Sequence, residues 1–498
     1  MTERLRGAGM LGLGAICLLA FLLRFLPIVL EPNLHQPDEL YQSIEQAHRL
    51  VYGTGLVPWE FQYGARSWLL PGALAGIMWL ARLVGDGPAY YLPAIFGALS
   101  LLSAACVVVA FLWGRRFYGV AGGFIAAWAM ALSVDAIYFG PRAGQEEIAA
   151  HLLVLATYLA EPGFRPQSTR RLIAAGLVFG LVFSVRFHLA PAIALIVLWS
   201  GWGEWRARFV PLTGGALAAT LAGGLIDWPA WGFPFASVWY NFEYNILYGV
   251  NAYYGQPGWD VYPAFLAYYW SGGVAVILLL AALGSARLPM LGAAALLTFV
   301  QYALLPHKEF RLIYPAVLPA ALLASLGLAQ AATWVERQLR ASGRIPGHAI
   351  HVCGLAAAFL WLVFACGEAA SLGYVGLWSQ DDGALRAALS VASMRGVCGV
   401  AIYESHGFTW ARSGGYSYLH EPGPLYEPGD EAAFLKEAPG FNVAVSEGRP
   451  LDLAGFRARQ CFGGVCVAER PGGCAPVPGT LVTEIPPTLR DVKPLAPP

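Results

Sequence analysis

The chain has 498 residues, 57% of them hydrophobic and only 12% charged, and its 31 basic and 31 acidic side chains cancel. A soluble domain is about 25% charged, so half that value excludes a water-soluble globular protein and points to a polytopic membrane protein. Zero formal charge argues against a nucleic-acid partner held by a basic face.

In chain order, Arg4 and Arg6 precede an apolar segment over 8–30. It runs longer than a signal-peptide core and lacks a clear cleavage site, so it reads as a retained anchor. Further apolar segments lie near 89–113, 119–139, 145–161, 172–187, 188–202, 209–227, 262–284, 288–305, 310–332 and 348–372. Segments 172–187 and 188–202 fall below the roughly 20 residues a perpendicular span needs; they read as a broken pair around Arg186-Phe187-His188. With this layout Arg4, Arg6, Arg115, Arg116, Arg165, Arg170, Arg171, Arg206, Arg208, Arg287, Arg337, Arg340 and Arg344 all fall on one side, which the positive-inside rule makes the cytoplasm. The layout requires Trp68–Val84 to be re-entrant or interfacial. The expectation is an α-helical polytopic domain over 1–372 with eleven spans, N-terminus inside and C-terminus outside.

The outer face then collects the unusual polar residues. The first outer loop, 31–67, opens with His35-Gln36-Pro37-Asp38-Glu39 and runs to His48-Arg49, three carboxylates and two histidines within fifteen residues. Pro37 suits a first helical position, Asp38 and Glu39 the first turn, and Gly53 or Gly55 the stop. Leu40, Ile44, Ala47 and Val51 share one face, and Asp38, Gln42, Glu45 and Arg49 another, which predicts an amphipathic helix on the membrane surface with an acid pointed above it. A capped surface loop is the structural alternative. Phe139 to Glu147, which contains Arg142, and Arg186-Phe187-His188 face the same way. So does the loop 228–261, with Trp228, Trp231, Trp239, Tyr240, Tyr244, Tyr248, Tyr253, Tyr254 and Trp259. These aromatics suit an interfacial belt or a sugar platform and lid, and the two roles are compatible.

His307-Lys308-Glu309-Phe310-Arg311 ends one span and begins the next at the outer surface. Lys308 and Arg311, three apart at a helix start, share a face, and helix N-terminal amides add positive potential. This suits an anion at headgroup depth; snorkelling flank residues are the alternative. Lys308 is one of only three lysines in the chain, and Arg142 and Arg186 are further outward cations able to share the anion.

Past residue 373 the hydropathy falls. Residues 373–498 read as a small extracytoplasmic α/β or β-rich domain with strand-like runs at Val397–Tyr403 and Phe441–Val445 and a loose Pro-rich tail from Pro486. Cys398, Cys461, Cys466 and Cys474 suggest up to two disulfides in one of three pairings. A zinc site is weaker, since no Cys-x-x-Cys is present.

A carboxylate base beside a cationic anion site suits sugar transfer from a lipid phosphate, the base deprotonating an acceptor hydroxyl. No nucleotide-binding glycine loop occurs, and the outer compartment lacks nucleotide sugars. The run His35-Gln36-Pro37-Asp38-Glu39, Gln42, Glu45-Gln46-Ala47-His48, Tyr52-Gly53-Thr54-Gly55, Trp59-Glu60-Phe61, Arg66-Ser67 resembles the first luminal loop of the GPI mannosyltransferases and their relatives acting on asparagine-linked glycans. His307-Lys308-Glu309-Phe310-Arg311-Leu312-Ile313-Tyr314-Pro315 is similar to the family's second motif, with Phe310 where relatives often carry a second acid. The resemblance covers residues 1–330.

That resemblance implies the GT-C fold and an inverting mannosyltransferase that uses a dolichyl-phosphate-mannose type of donor without an obligatory metal or other cofactor. It implies Asp38 as the base, with Glu39 as the alternative, because helix neighbours point about 100° apart and only one can face the acceptor. His307, Lys308, Arg311, Arg142 and Arg186 would serve the donor phosphate, and Glu45, His48, Trp59, Glu60 and Arg66 the substrates. The Arg-rich composition and short outer domain suggest a bacterial inner-membrane relative. Its partners would be a polyprenyl-phosphate sugar, most simply mannose, and a glycan or glycolipid acceptor. The competing readings are another polyprenyl-phosphate sugar as donor, a transporter or lipid flippase, and a non-catalytic scaffold. Transporters place polar groups near the midplane and show inverted repeats; here the polar groups sort to one surface.

Overall fold

A computed structural model describes residues 2–163, 168–346, 351–403, 409–421, 423–448 and 450–495, with side chains from residue 10 onward. Arg165 and the side chains of Arg4 and Arg6 lie outside the described residues. Among these residues five helices are long and apolar enough to cross a membrane: Met10–Leu30, Pro88–Ala131, Trp205–Trp231, Phe310–Ala341 and Val352–Ala369. Val261–Tyr269 and Ser271–Ser285 reach that length and hydropathy only together, across a bend of 111°. Shorter apolar helices occupy Leu69–Ala81, Phe187–Gly201 and Pro289–Leu304.

The 44-residue helix Pro88–Ala131 is interrupted at Gly119, where φ is 79°. Two segments read separately in the sequence therefore meet at a left-handed glycine that other residues reach only with strain. The second of them stops at Ala131 rather than running to 139; Ser133 turns the chain into a short helix, Val134–Phe139. The freed carbonyls of Met130 and Ala131 are taken up by Arg24, a wholly buried arginine of the first helix that also donates to Ser103 Oγ. A helix end inside an apolar bundle needs such a partner, because unpaired carbonyls there are costly.

Tyr314–Ala341 forms the centre of the bundle, and the most apolar part of this span is 89% buried. It packs on Val274–Ser285, Pro88–Ala131, Pro289–Leu304 and Gln145–Ala160. Thr169–Val185 and Val210–Trp231 lie closer still: a Cβ on Gly176 would stand 2.1 Å from the Leu212 carbonyl oxygen. Small residues at helix crossings are how apolar bundles gain contact without a hydrophobic drive between helices. The basic flanks converge at one end of the bundle. Arg116 bonds Glu161, Arg208 donates to the carbonyls of Ser200 and Ala160, and Arg171 donates to that of Tyr158.

The C-terminal part forms a five-stranded mixed sheet from β1 (Val400–Tyr403), β2 (Leu425–Tyr426), β3 (Val443–Glu447), β4 (Arg457–Phe462) and β5 (Val465–Glu469), in the order β2-β1-β3-β5-β4. β1 runs parallel to β2 and β3; β5 is antiparallel to β3 and β4. One face packs on the helix Asp382–Ala392 through Leu385, Ala388 and Val391, and the other closes on Phe434, Phe441 and Phe456. Both β1 and β3 fall on the strand-like runs. The four cysteines pair as Cys398–Cys474 and Cys461–Cys466, the second across the β4–β5 hairpin.

Two expectations are corrected. The tail beyond Pro486 is docked: Leu489 is wholly buried beside Trp59, Tyr63, Tyr244 and Val250, and the Leu495 amide donates to Gln62 O at 2.7 Å. A proline-rich composition cannot reveal a single apolar anchor that finds a pocket in the first loop. The helix after Pro37 is not a free surface helix either. Residues 39–48 are all buried, because the C-terminal domain covers the face that would otherwise meet water. Glu45 ties the two parts together, accepting from the amides of Leu56, Tyr416 and Ser417 at 2.8, 2.9 and 2.8 Å.

Candidate active site

The first outer loop builds the site from its backbone upward. Pro37–Glu39 starts the helix, Leu40–Ile44 forms a π-helical turn, and Glu45–Tyr52 continues to Gly53, whose φ of 80° closes it. A π turn inserts one residue and re-aims the side chains beside it. Asp38 and Glu39, neighbours in the helical turn before it, point about 100° apart and so to different places. Asp38 lines a cavity of about 570 Å³; Glu39 turns inward, accepting from the His35 amide at 2.7 Å and from Arg142 Nη1 at 2.9 Å.

The cavity holds a linked charge network. Asp38 Oδ2 accepts from Arg311 Nη2 at 2.6 Å, and Arg311 Nε donates to Glu309 Oε2 at 2.5 Å. Arg311 Nη1 lies 3.9 Å from Glu146 Oε2, whose other oxygen meets Arg186 Nη2 at 2.7 Å. His307 Nε2 pairs with Glu309 Oε1 at 2.9 Å. Burial works against the Glu309 carboxylate, but Arg311 and His307 outweigh it and hold its pKa well below the ordinary range. Arg186 reaches the cavity because the pair Thr169–Val185 and Ala190–Gly201 breaks there, as the short apolar segments suggest. Gln145–Ala160 brings Glu146 in on its first turn.

A second chain of contacts runs beside the first. Gln42 Nε2 donates to Glu60 Oε1 and Arg66 Nε donates to Gln42 Oε1, both at 2.7 Å. Burial, reinforced by the negative charge of Asp38, pushes the Glu60 carboxyl up to about 7. Arg66 makes no ion pair among the described residues, which leaves it as a cavity cation whose charge no carboxylate matches at contact distance.

Of the residues singled out from sequence, the structure brings Asp38, Trp59, Glu60, Arg66, Arg186, His307 and Arg311 to one cavity. Five others lie off its wall. Glu39 and Arg142 form a sealed pair, with Arg142 also bonded to Asn33 and stacked 3.9 Å from the Tyr138 ring centre. Glu45 anchors the C-terminal domain. His48, which burial lowers to about 4, is bonded to Thr54 O and His420. Lys308 Nζ donates to the carbonyls of Leu305 and Pro257 at 2.6 and 3.1 Å and ties two loop ends together. Phe310 is buried, stacked on Tyr269 at 4.2 Å, so an acid in its place would be unpaired.

The residues 228–261 also differ from the reading as a loop. Helix Val210–Trp231 extends into them, followed by Ala236–Phe242 and a π turn at Glu243–Leu247. Trp228, Trp239 and Trp259 are exposed, as a belt requires, and of the aromatics named there only Tyr254 lines the cavity. Asn241, Asn245 and Asn251 contribute instead, and the first two stand four apart on one helical face, a signal that was legible. Glu146, Tyr302, Trp410 and Glu484 were not singled out; the last two come from the far C-terminal part, where no local spacing links them to Asp38.

Residues 15–378 match the Alg9-like mannosyltransferase family. GPI mannosyltransferase 3 of Yarrowia lipolytica is 29% identical over 322 residues, 61% of this chain and 59% of that protein. GPI alpha-1,2-mannosyltransferase 3 of Danio rerio is 26% identical over 63% of this chain and 59% of its own length. The chain thus spans about three-fifths of these relatives. The crystal structure of ArnT from Cupriavidus metallidurans bound to undecaprenyl phosphate superposes with a TM-score of 0.61, covering 93% of this chain and 98% of ArnT at 12% identity. The apo form of the same protein gives 0.56. The helical bundle with its small C-terminal sheet is therefore of the GT-C type.

Proposed function

The chain belongs to the Alg9-like mannosyltransferase family, and from that premise we propose that it transfers mannose from a polyprenyl-phosphate-linked donor to a hydroxyl of a glycan or glycolipid. The observation that carries this reading is the 2.6 Å contact between Asp38 and Arg311 inside one cavity, which supports it by setting a carboxylate able to take a hydroxyl proton beside a cation able to meet a phosphate. The relatives named as GPI mannosyltransferases and the undecaprenyl phosphate bound to ArnT support it.

In this reading the acceptor oxygen attacks C1 of the mannosyl group while its proton passes to the Asp38 carboxylate. The bond from C1 to the phosphate oxygen breaks, and the electron pair leaves on the phosphate. Arg311, Arg66, Arg186 and His307 face the charge that develops there. Attack opposite the leaving group turns a β-linked donor into an α-mannoside. Lys308 and Arg142 hold the scaffold rather than the phosphate. The chain has eleven spans, the cavity opens on the extracytoplasmic side of a bacterial cytoplasmic membrane, and no metal is needed.

The test is to incubate membranes containing the chain with radiolabelled polyprenyl-phosphate β-mannose and a detergent glycoside, octyl α-mannoside, in the presence of EDTA. The expected result is a labelled product with a new α-linkage. No transfer, a β-linked product or abolition by EDTA would contradict the reading.

A further inference from the structure

The cavity is not made by the membrane bundle alone. Its wall includes Trp410 and Ala411, which follow β1, and Glu484, which precedes the docked tail. All three lie beyond residue 378, where the match to the family ends. They are held in place by contacts to the first loop and its neighbours. Tyr41 OH donates to Trp410 O at 2.5 Å, and the Tyr41 ring meets the indole edge-on at 4.9 Å. Glu427 Oε1 accepts from the Trp410 amide at 2.9 Å, and Ser413 Oγ donates to its carbonyl at 2.8 Å. Glu484 accepts from Tyr253 OH at 2.9 Å. The backbone of Trp410 is thus fixed on both sides, and the half-buried residue lines the cavity.

The chemistry of this part of the wall differs from that around Arg311. The arginines Arg66, Arg186 and Arg311 come from the first loop and the bundle, and among the described residues the C-terminal part adds no cation to the cavity. It adds an aromatic residue and a carboxylate, and the amides of Asn241, Asn245 and Asn251 line the same cavity. A carboxylate repels a phosphate and accepts hydrogen bonds from hydroxyls; an indole face covers the C–H face of a pyranose; amides both donate and accept. That set fits a neutral, hydroxyl-rich sugar and not a lipid phosphate.

We propose that Trp410 and Glu484 form the acceptor subsite, so that the C-terminal domain selects a neutral glycoside acceptor while the bundle holds the donor. The proposal rests on the transfer reading above. It gives the docked tail and the Glu45 anchor a functional consequence, since both hold the C-terminal part against the first loop that carries Asp38. Acceptor choice then varies with the C-terminal domain independently of the donor side.

The experiment measures transfer from farnesyl-phosphate mannose to octyl α-mannoside by the full chain in detergent, varying each substrate in turn, with mannose release to water as a third readout. Trp410→Ala should raise the half-saturating glycoside concentration at least tenfold and shift that of the donor less than twofold. Trp410→Phe should recover most of the acceptor affinity, and Glu484→Gln should weaken it by a smaller factor. Equal changes in both half-saturating concentrations, or none in that of the glycoside, would overturn the subsite. So would a wild-type enzyme that releases mannose to water but whose rate is indifferent to the glycoside. A wild-type chain that consumes no donor at all would instead refute the transfer reading itself.

Discussion

Two arginine–carboxylate networks begin at adjacent residues. Glu39 and Arg142 are closed to solvent, with side chains 10% and 1% exposed, and their remaining contacts are the His35 amide, Asn33 and the Tyr138 ring. Asp38 and Arg311 have the same chemistry at nearly the same distance, yet Asp38 is 36% exposed, on a cavity wall, and Arg311 is shared among Asp38, Glu309 and Glu146. A sealed pair has no alternative partner and acts as a fastener. A shared arginine on a cavity wall has partners it can exchange for an incoming anion. Residue type does not separate structural from chemical ion pairs; access and partner number do.

The comparison breaks first at the two arginines. Arg311→Met should lower transfer about 10³-fold, the scale of losing a preorganised donor to developing charge, with the protein still extracted folded. If instead its effect were confined to thermal stability, the open network would be a fastener too. Arg142→Met should do the opposite, destabilising the fold by about 3–5 kcal/mol because it strands the buried Glu39, read as a lowered midpoint in thermal aggregation. Equal stability to the wild type would deny the fastener.

A subtler effect concerns pH. The Glu60 carboxyl, raised to about 7 by burial and by Asp38, is largely neutral below that value and adds a negative charge to the cavity above it. The half-saturating donor concentration should therefore rise as pH passes upward through about 7, and Glu60→Gln should flatten that rise. The same shift means that the folded state binds this proton more tightly than the unfolded chain, so the Glu60 contribution to stability falls between about pH 4.5 and 7. A donor profile in Glu60→Gln identical to the wild type would remove Glu60 from the donor side. The smallest effect belongs to Lys308→Ala. Its ammonium is spent on the carbonyls of Leu305 and Pro257, off the cavity, so the donor requirement should move by no more than roughly threefold, near the range of ordinary surface substitutions. A tenfold rise would return Lys308 to the phosphate.

Much of this was legible in the chain. Apolar segment lengths place most of the helices, and the short pair 172–187 and 188–202 marks the break that turns Arg186 inward, because twenty apolar residues have few other fates. Asp38 and Arg311 stand out because charge is scarce and sorts to one face. What the sequence hid was direction. Nothing in Asp38-Glu39 says which acid faces the cavity, since the Arg142 that captures Glu39 lies 103 residues along the chain. Lys308 was conspicuous by rarity and yet serves loop closure. Trp410, Glu484 and Leu489 depend on a domain docking through Glu45 and Tyr41, contacts more than 350 residues apart in the chain that no local period encodes.

The central claim is that of these two neighbouring acids one is a base and the other a fastener, and a side-by-side assay of Asp38→Asn and Glu39→Gln tests it most directly. Mannose transfer from a labelled polyprenyl-phosphate donor should fall by about 10²–10⁴-fold in Asp38→Asn, with thermal stability close to wild type. Glu39→Gln should lose stability while the fraction that stays folded retains its rate. Full transfer by Asp38→Asn, or a rate loss confined to Glu39→Gln, would contradict the account.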